Sequence, residues 1–125
     1  MWESELTEAV IGAAMEVHRA IGPGLLESTY QYCLKHELGL RGIGYESEVP
    51  IAIRYKGYAV GEAYRVDLLV ERRLVVELKS VEATVDLHKA QLLTYLRLLN
   101  RRLGLLINFN TVLLKDGITR VANKL

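Results

Sequence analysis

The chain is poor in cysteine, in long apolar runs and in excess charge, and each shortage narrows the classes of protein that fit it. Cys33 is the only cysteine among 125 residues, so an intrachain disulfide is excluded and a cysteine-based zinc site is not expected. No apolar stretch approaches the ~20 residues that span a bilayer, and no signal peptide is recognisable. These shortages predict a protein of the reducing cytoplasm without a membrane segment.

The formal net charge is only +1. A nucleic-acid binder usually carries a basic surface, so the overall charge gives that function no support. Arginines cluster at 72–73 and within 97–102, where solvated turns and helix ends are the simpler explanation. Half of the residues are hydrophobic and a quarter are charged, which predicts a single globular domain, residues 1–125, with its own core.

The hydrophobic periodicity predicts an α/β (α+β) domain of order αα-βββ-α-ββ, with a mixed sheet covered by helices. The predicted helices are 3–20, 25–40 and 85–100, and the predicted strands are 48–55, 58–70, 74–81, 103–109 and 112–114, with 118–122 as an optional terminal strand. The helix that follows strand 74–81 allows strand 103–109 to lie parallel to it.

Two predicted strands carry charge where a buried strand is normally apolar. Asp67 interrupts the segment 64–70, and Glu77 and Lys79 interrupt the segment 74–79. Strand side chains alternate between faces. If the apolar rows of both strands share the core face, Asp67 falls directly opposite Glu77, and Lys79 lies two residues further on the same face. Directly opposed residues have Cβ atoms about 4.5–5.5 Å apart, which is close enough for two carboxylates to share one divalent cation.

This arrangement suits phosphodiester hydrolysis, which uses a cation to polarise the phosphate and activate a water. Magnesium needs only one or two carboxylates, so Asp67 and Glu77, with the Leu78 backbone carbonyl, are candidate ligands of Mg²⁺ or Mn²⁺. Lys79 is the candidate that orients or deprotonates the water and offsets charge in the transition state. A plain ion pair between Lys79 and one carboxylate explains the same three charges, and the strand pattern alone leaves both explanations open.

Further motifs accompany the charged strands. They are Gly24-Leu-Leu-Glu27-Ser-Thr-Tyr30, Asp67, Glu77-Leu78-Lys79 and Gln91-Leu-Leu-Thr-Tyr95. On these residues the chain resembles, over about residues 5–122, the GxxExxY family, a branch of the PD-(D/E)XK nuclease superfamily. It departs from the superfamily name at Val66, which stands in place of the proline, a position without a chemical task.

The resemblance implies a restriction-endonuclease-like core and a metal-dependent nuclease that acts on nucleic acid, with DNA favoured over RNA. It implies that Glu27 adds a carboxylate to the metal site and that Gln91 and Tyr95 contact the substrate backbone or brace Lys79. Tyr30 is grouped with these substrate-binding residues. Ordinary explanations exist as well, since a glutamate favours the first turn of a helix and a half-polar helix edge accounts for the Gln–Tyr pair.

Two other functions fit the sequence. One is a non-catalytic nucleic-acid-binding or assembly module that keeps the nuclease fold, which the near-neutral charge and small size favour; such a domain could form a homodimer. The other is a scaffold in which the acidic pair is incidental. His88, one turn before Gln91, is expected to border the cleft.

Overall fold

The computed structural model describes residues 1–124. Its helices are α1 (Glu3–Ile21), α2 (Glu27–Leu40) and α3 (Asp86–Leu99), and its strands are β1 (Tyr45–Tyr55), β2 (Tyr58–Val70), β3 (Leu74–Lys79), β4 (Leu103–Asn108) and β5 (Ile118–Ala122). A short 3-10 helix, Leu114–Gly117, precedes β5. The predicted order of helices and strands is therefore confirmed. No helix within these 124 residues is long and apolar enough to cross a membrane.

The five strands form one mixed sheet in the order β1-β2-β3-β4-β5. Only β3 and β4 are parallel, as predicted from the helix that connects them; the other neighbours are antiparallel. The described register of β2 with β3 pairs Leu68 with Val76 and Val70 with Leu74, which confirms the register predicted from the alternation of apolar residues. Together with the three helices, this sheet confirms the predicted α+β class.

The predicted strand at 112–114 is wrong. Val112 and Leu113 are 88% and 54% exposed, and the chain bends there before the 3-10 helix. The last strand is instead β5, which pairs antiparallel with β4 from Ile118 onward. Three consecutive apolar residues favour a strand, but only Leu114 reaches the core, where it is 5% exposed.

Hydrophobic side chains fill both faces of the sheet. Helices α1 and α2 cover one face, where Leu68 and Leu78 contribute to the core, and α3 covers the other, where Leu69 and Leu92 do so. Val66 was expected on the same face as Leu68 but lies in the core beneath α3. The expectation fails because the paired strand β1 has a positive φ at Glu48 (53°), which interrupts regular alternation next to Asp67.

The segment after β3 is fixed by Asn108, which ends β4 and is 2% exposed. Its side chain accepts a hydrogen bond from the Val81 N–H (3.1 Å) and donates one to the Val81 carbonyl (3.0 Å). Gly117 packs against this residue, and a Cβ built on Gly117 would lie 2.1 Å from the Asn108 carbonyl oxygen. The position of the chain just after Lys79 therefore depends on a close backbone contact with the loop before β5.

We expect Gly117→Ala to destabilise the protein by about 1–3 kcal/mol, because the added methyl group forces two backbone segments apart. The matched control is Gly39→Ala in α2, where a Cβ meets no atom within 4 Å. There the substitution should be neutral or stabilise by about 0.5–1 kcal/mol, since alanine favours helix. Thermal unfolding of both variants measures the difference, and equal melting temperatures would contradict the close contact at Gly117.

Candidate active site

The centre of the site is the point where β2 and β3 part. Beyond the Leu68–Val76 pair, two side chains take the place of the strand-to-strand hydrogen bonds. The Asp67 N–H donates to Oε1 of Glu77 (2.9 Å), and the Leu78 N–H donates to Oδ2 of Asp67 (2.7 Å). Each carboxylate is thus oriented through one oxygen, and Oδ1 of Asp67 and Oε2 of Glu77 are left for another ligand.

The electrostatics of this pair are unfavourable without a cation. Burial raises the pKa of Glu77 from its ordinary 4.5 to about 8, and the nearby Asp67 charge adds to the effect. Burial also raises the pKa of Asp67 from 3.8 to about 6, against the opposing effect of the Leu78 N–H, and the charges of Glu27 and Glu48 contribute. Buried carboxylates persist in proteins mainly where they are paired or coordinate a metal.

Lys79 lies at the end of β3 and is half-buried. Its charge lowers the pKa of both Asp67 and Glu77, so its ammonium group is near them. However, the ion pairs found within residues 1–124 do not include Lys79. The cross-strand ion pair that could have explained the three charges is therefore not formed, and Lys79 is free to interact with a further group.

The oxygens available at this point suit a hard divalent cation. In an antiparallel pair, the N–H and C=O of one residue point to the same side of the strand, so the Leu78 carbonyl is directed toward β2, as its N–H is. Two carboxylates and one carbonyl are sufficient protein ligands for magnesium, which keeps several waters. Glu27 begins α2 and raises the pKa of both carboxyls. In the described chain, however, no three His, Cys, Asp or Glu side chains are grouped as a preformed metal site.

Helix α3 borders the pair through Tyr95. This tyrosine is 8% exposed, and its pKa is raised by burial first and then by the charges of Glu77, Tyr64 and Asp67. The structure thus brings Tyr95 to the carboxylates. Gln91 precedes it by one turn on the same side of the helix and is exposed at the solvent edge.

His88, which was expected to border the cleft, lies in the first turn of α3, one turn before Gln91. Its Nδ1 accepts a hydrogen bond from the Val85 N–H (3.1 Å) at the start of α3. This bond satisfies a backbone group at the helix terminus, where intrahelical partners are missing. The histidine therefore stabilises the start of the helix that presents Gln91 and Tyr95.

Tyr30 was expected among the substrate-binding residues, and its placement corrects this. It is 0% exposed and stacks on Phe109 with ring centroids 4.4 Å apart. Its hydroxyl donates to the Gly22 carbonyl (2.6 Å) and accepts from the Leu25 N–H (3.1 Å). A buried phenol with both bonds made within the protein cannot reach a substrate; it fixes the loop that delivers Glu27.

Sequence reasoning missed Gln31 and Glu48. The Gln31 amide donates to Oε1 of Glu48 (2.9 Å) and to the Asp67 carbonyl (3.3 Å), so it ties α2 to the point where β1 and β2 bend. Gln31 lies four residues after Glu27 and hence on the same helix face. That spacing, and the acidic residue within strand β1, were the available signals.

An open groove of about 610 Å³ runs beside the site. It is lined by Gly24, Leu25, Leu26, Thr29, Ser80 and Asn110. The Ser80 hydroxyl donates to the Leu25 carbonyl (2.5 Å), which joins the end of β3 to the loop before α2. Two residues of its lining are sequence neighbours of charged residues, since Ser80 follows Lys79 and Leu26 precedes Glu27.

The mixed sheet with its three helices is consistent with a restriction-endonuclease-like fold, and comparison with known families agrees. A model of the PD-(D/E)XK nuclease superfamily matches residues 4–121. The chain therefore belongs to the PD-(D/E)XK nuclease superfamily, whose members generally use divalent metals and act on nucleic acid. Neither curated proteins nor solved structures gave a significant match.

We expect Tyr30→Phe to destabilise the protein by about 1–3 kcal/mol, because the Leu25 N–H and Gly22 carbonyl lose a buried partner. Tyr32→Phe, on the same helix but 69% exposed, is the control and should change stability by less than about 0.5 kcal/mol. Urea unfolding compares the two. Equal stability of both variants would contradict the structural role given to the Tyr30 hydroxyl.

The metal-free protein should lose stability as the pH rises from about 4 to about 8. Unfolded Asp67 and Glu77 release protons near 3.8 and 4.5, whereas the folded carboxyls, with pKa values of about 6 and about 8, hold theirs to higher pH. The folded state therefore binds more protons in this window, and the free energy of unfolding falls as pH increases.

The double variant Asp67→Asn/Glu77→Gln tests this effect. It keeps an acceptor for each backbone N–H and removes both charges, so at pH 8 without metal it should be more stable than the wild type by on the order of 1–3 kcal/mol. The difference should shrink toward pH 4. Melting curves across this range provide the measurement, and a difference independent of pH would contradict the raised pKa values.

Proposed function

We propose that this protein is a Mg²⁺- or Mn²⁺-dependent nuclease of the GxxExxY branch that hydrolyses phosphodiester bonds in nucleic acid, with DNA favoured over RNA. The observation that carries the proposal is the pair of half-buried Asp67 and buried Glu77, held in place by backbone N–H groups and unpaired with any cationic side chain of the described residues. A cytoplasmic location and a homodimer are further predictions of the sequence.

The acidic pair explains why a cation is needed. Two neighbouring carboxylates, one buried and one half-buried, repel each other, and each loses hydration. Oδ1 of Asp67, Oε2 of Glu77 and the Leu78 carbonyl would hold a divalent cation, and Glu27 would assist through its nearby charge. When bound, the ion supplies positive charge that polarises the phosphodiester and favours deprotonation of a water.

Lys79 supplies the second positive charge of the site. Because it forms no ion pair within residues 1–124, its ammonium group can donate to the attacking water or to a phosphate oxygen. A donor that stabilises developing charge contributes about 10²–10³ in rate. The lysine thus acts directly on the reacting groups.

Helix α3 supplies the residues that would face the substrate. Tyr95 lies next to the carboxylate pair, and Gln91 extends from the same helix face toward solvent. The tyrosine braces the site, and the exposed amide of Gln91 is positioned to bind the backbone of the nucleic acid.

A non-catalytic binding module is the second candidate. It is favoured by one observation, that Glu27 does not join Asp67 and Glu77 in a preformed three-ligand group in the described chain. Such a module would bind nucleic acid without turnover, and its binding would be unaffected by loss of Lys79.

The test is cleavage of duplex and single-stranded DNA and RNA in Mg²⁺ or Mn²⁺. Lys79→Ala should reduce the cleavage rate by about 10²–10³, and Asp67→Asn/Glu77→Gln should abolish cleavage. Lys115→Ala is the control and should leave the rate unchanged, because this exposed lysine lines a cavity to which no candidate site residue contributes.

Calorimetry separates the two candidates. Binding of Mn²⁺ at pH 7 should release about one proton, because Glu77 is protonated before it becomes a ligand. The number of protons follows from the heat measured in two buffers of different ionisation enthalpy. No cleavage of any substrate together with no metal binding would refute the nuclease proposal.

A further inference from the structure

The paired ends of β1 and β2 extend well beyond the rest of the sheet. We call residues 50–65 the arm; it runs from the Pro50–Arg65 pair to the turn at Lys56–Gly57. The described pairing of β3 with β2 is confined to 68–70, so the arm is a two-stranded ribbon. At about 3.3 Å per residue, the distance along β2 from Asp67 to the turn is roughly 30 Å.

Most side chains of the arm are exposed to solvent, so the arm has few packing contacts that could stabilise it. Every residue from Arg54 to Arg65 is exposed, and Tyr55 and Tyr58 are 65% and 73% accessible. An isolated two-stranded hairpin is marginally stable in water, so a ribbon with exposed aromatic side chains gains from a binding partner.

Charge indicates which partner. The arm carries Arg54, Lys56 and Arg65 against the single acid Glu62, a net charge of +2, whereas the whole chain has +1. The remaining residues therefore have a net charge of −1. A second copy of the arm would bring like charges together, while a nucleic acid offers phosphates to all three basic side chains.

The base of the arm adjoins the candidate active site. Tyr64 is close enough to Tyr95 to raise the pKa of that phenol, and the Arg65 guanidinium donates to the Glu48 carbonyl (3.4 Å). A nucleic acid lying along the arm would thus reach Asp67 and Glu77 at its inner end.

We propose that the arm is a DNA-binding ribbon that occupies the major groove of B-form duplex DNA and presents the duplex to the active site. Two strands about 4.8 Å apart, with their side chains, match a groove about 12 Å wide that admits a β-ribbon. The length of roughly 30 Å is close to one turn of duplex. Because the major groove of A-form RNA is too narrow for side chains to read, this proposal, which rests on the proposed nuclease function, selects duplex DNA as substrate.

The arm has a variant that removes charge and favours its turn at Lys56, while it gives up the hydrogen bond from the Arg54 guanidinium to the Gly57 carbonyl (3.1 Å). Lys56 and Gly57 both have positive φ (49° and 83°), the geometry of a two-residue turn that favours Asn-Gly. Lys56→Asn therefore suits the turn better than lysine does. Combined with Arg54→Gln, it removes two positive charges from the arm. Arg19→Gln/Lys115→Gln is the control, because it removes two exposed charges that line a cavity to which no residue of the arm contributes.

The experiment measures binding to a labelled DNA duplex of about two helical turns by fluorescence anisotropy, at several salt concentrations. The protein carries Lys79→Ala in every case, so that the duplex stays intact. The arm variant should bind more weakly and lower the slope of log K against log salt by about 0.9 for each phosphate that the arm no longer neutralises. The control should bind like the parent, and the parent should prefer duplex to a single strand of the same sequence.

Three results would overturn the proposal. One is unchanged affinity and salt slope for the arm variant. Another is equal binding of duplex RNA and duplex DNA by the parent. The third is a loss of dimer by the arm variant in sedimentation with duplex binding intact, which would assign the arm to a second copy. If the wild type cleaves nucleic acid while any of these holds, the arm proposal fails alone; if it neither binds nor cleaves, the nuclease proposal fails with it.

Discussion

The placement of two carboxylates, one buried and one half-buried, between parting strands is the constraint on which the site depends. Asp67 and Glu77 replace the hydrogen bonds that β2 and β3 would otherwise make, each through one oxygen. This fixes both side chains without an ion pair to a cationic side chain of residues 1–124. The arrangement stabilises the strands through hydrogen bonds and destabilises them through charge, and a divalent cation removes the second effect while keeping the first.

Three residues elsewhere in the fold fix, through hydrogen bonds, the segments that surround the acidic pair. Gln31 ties α2 to the bend in β1 and β2, Tyr30 fixes the loop that starts α2 with Glu27, and Asn108 holds the chain after Lys79. Apart from the exposed bond between Gln31 and Glu48, these hydrogen bonds are half-buried, and the loss of one leaves a polar group without a partner. The site is therefore presented by rigid elements, and only the arm extends freely from it.

The sequence predicted the parts that follow from alternation and missed those that follow from local bends. The Leu68–Val76 register was predictable, because a slip by one residue would turn an apolar row to solvent. Val66 was assigned to the wrong face because the positive φ of Glu48 cannot be foreseen from the sequence. A glycine at that position would have indicated it. The role of Tyr30 was misjudged because the motif gives its spacing from Glu27 but not the burial of its ring.

Some residues of the candidate site could also be predicted from the sequence, and others could not. Asp67, Glu77 and Lys79 could be identified because charge in an apolar strand is conspicuous. Gln31 could not be singled out in the same way, because an amide on a helix is common and its bond to the Asp67 carbonyl depends on tertiary packing. The basic arm was likewise hidden within a nearly neutral chain, since only the sheet topology shows that residues 50–65 project as a unit.

The most direct test of the central claim is a crystal structure with Mn²⁺, read from anomalous scattering. We expect one peak between Asp67 and Glu77, within about 2.0–2.2 Å of Oδ1, Oε2 and the Leu78 carbonyl oxygen, as for a hard octahedral cation. The same crystals of Asp67→Asn/Glu77→Gln should show no peak. A wild-type map with both carboxylates in place and no anomalous density between them would contradict the account.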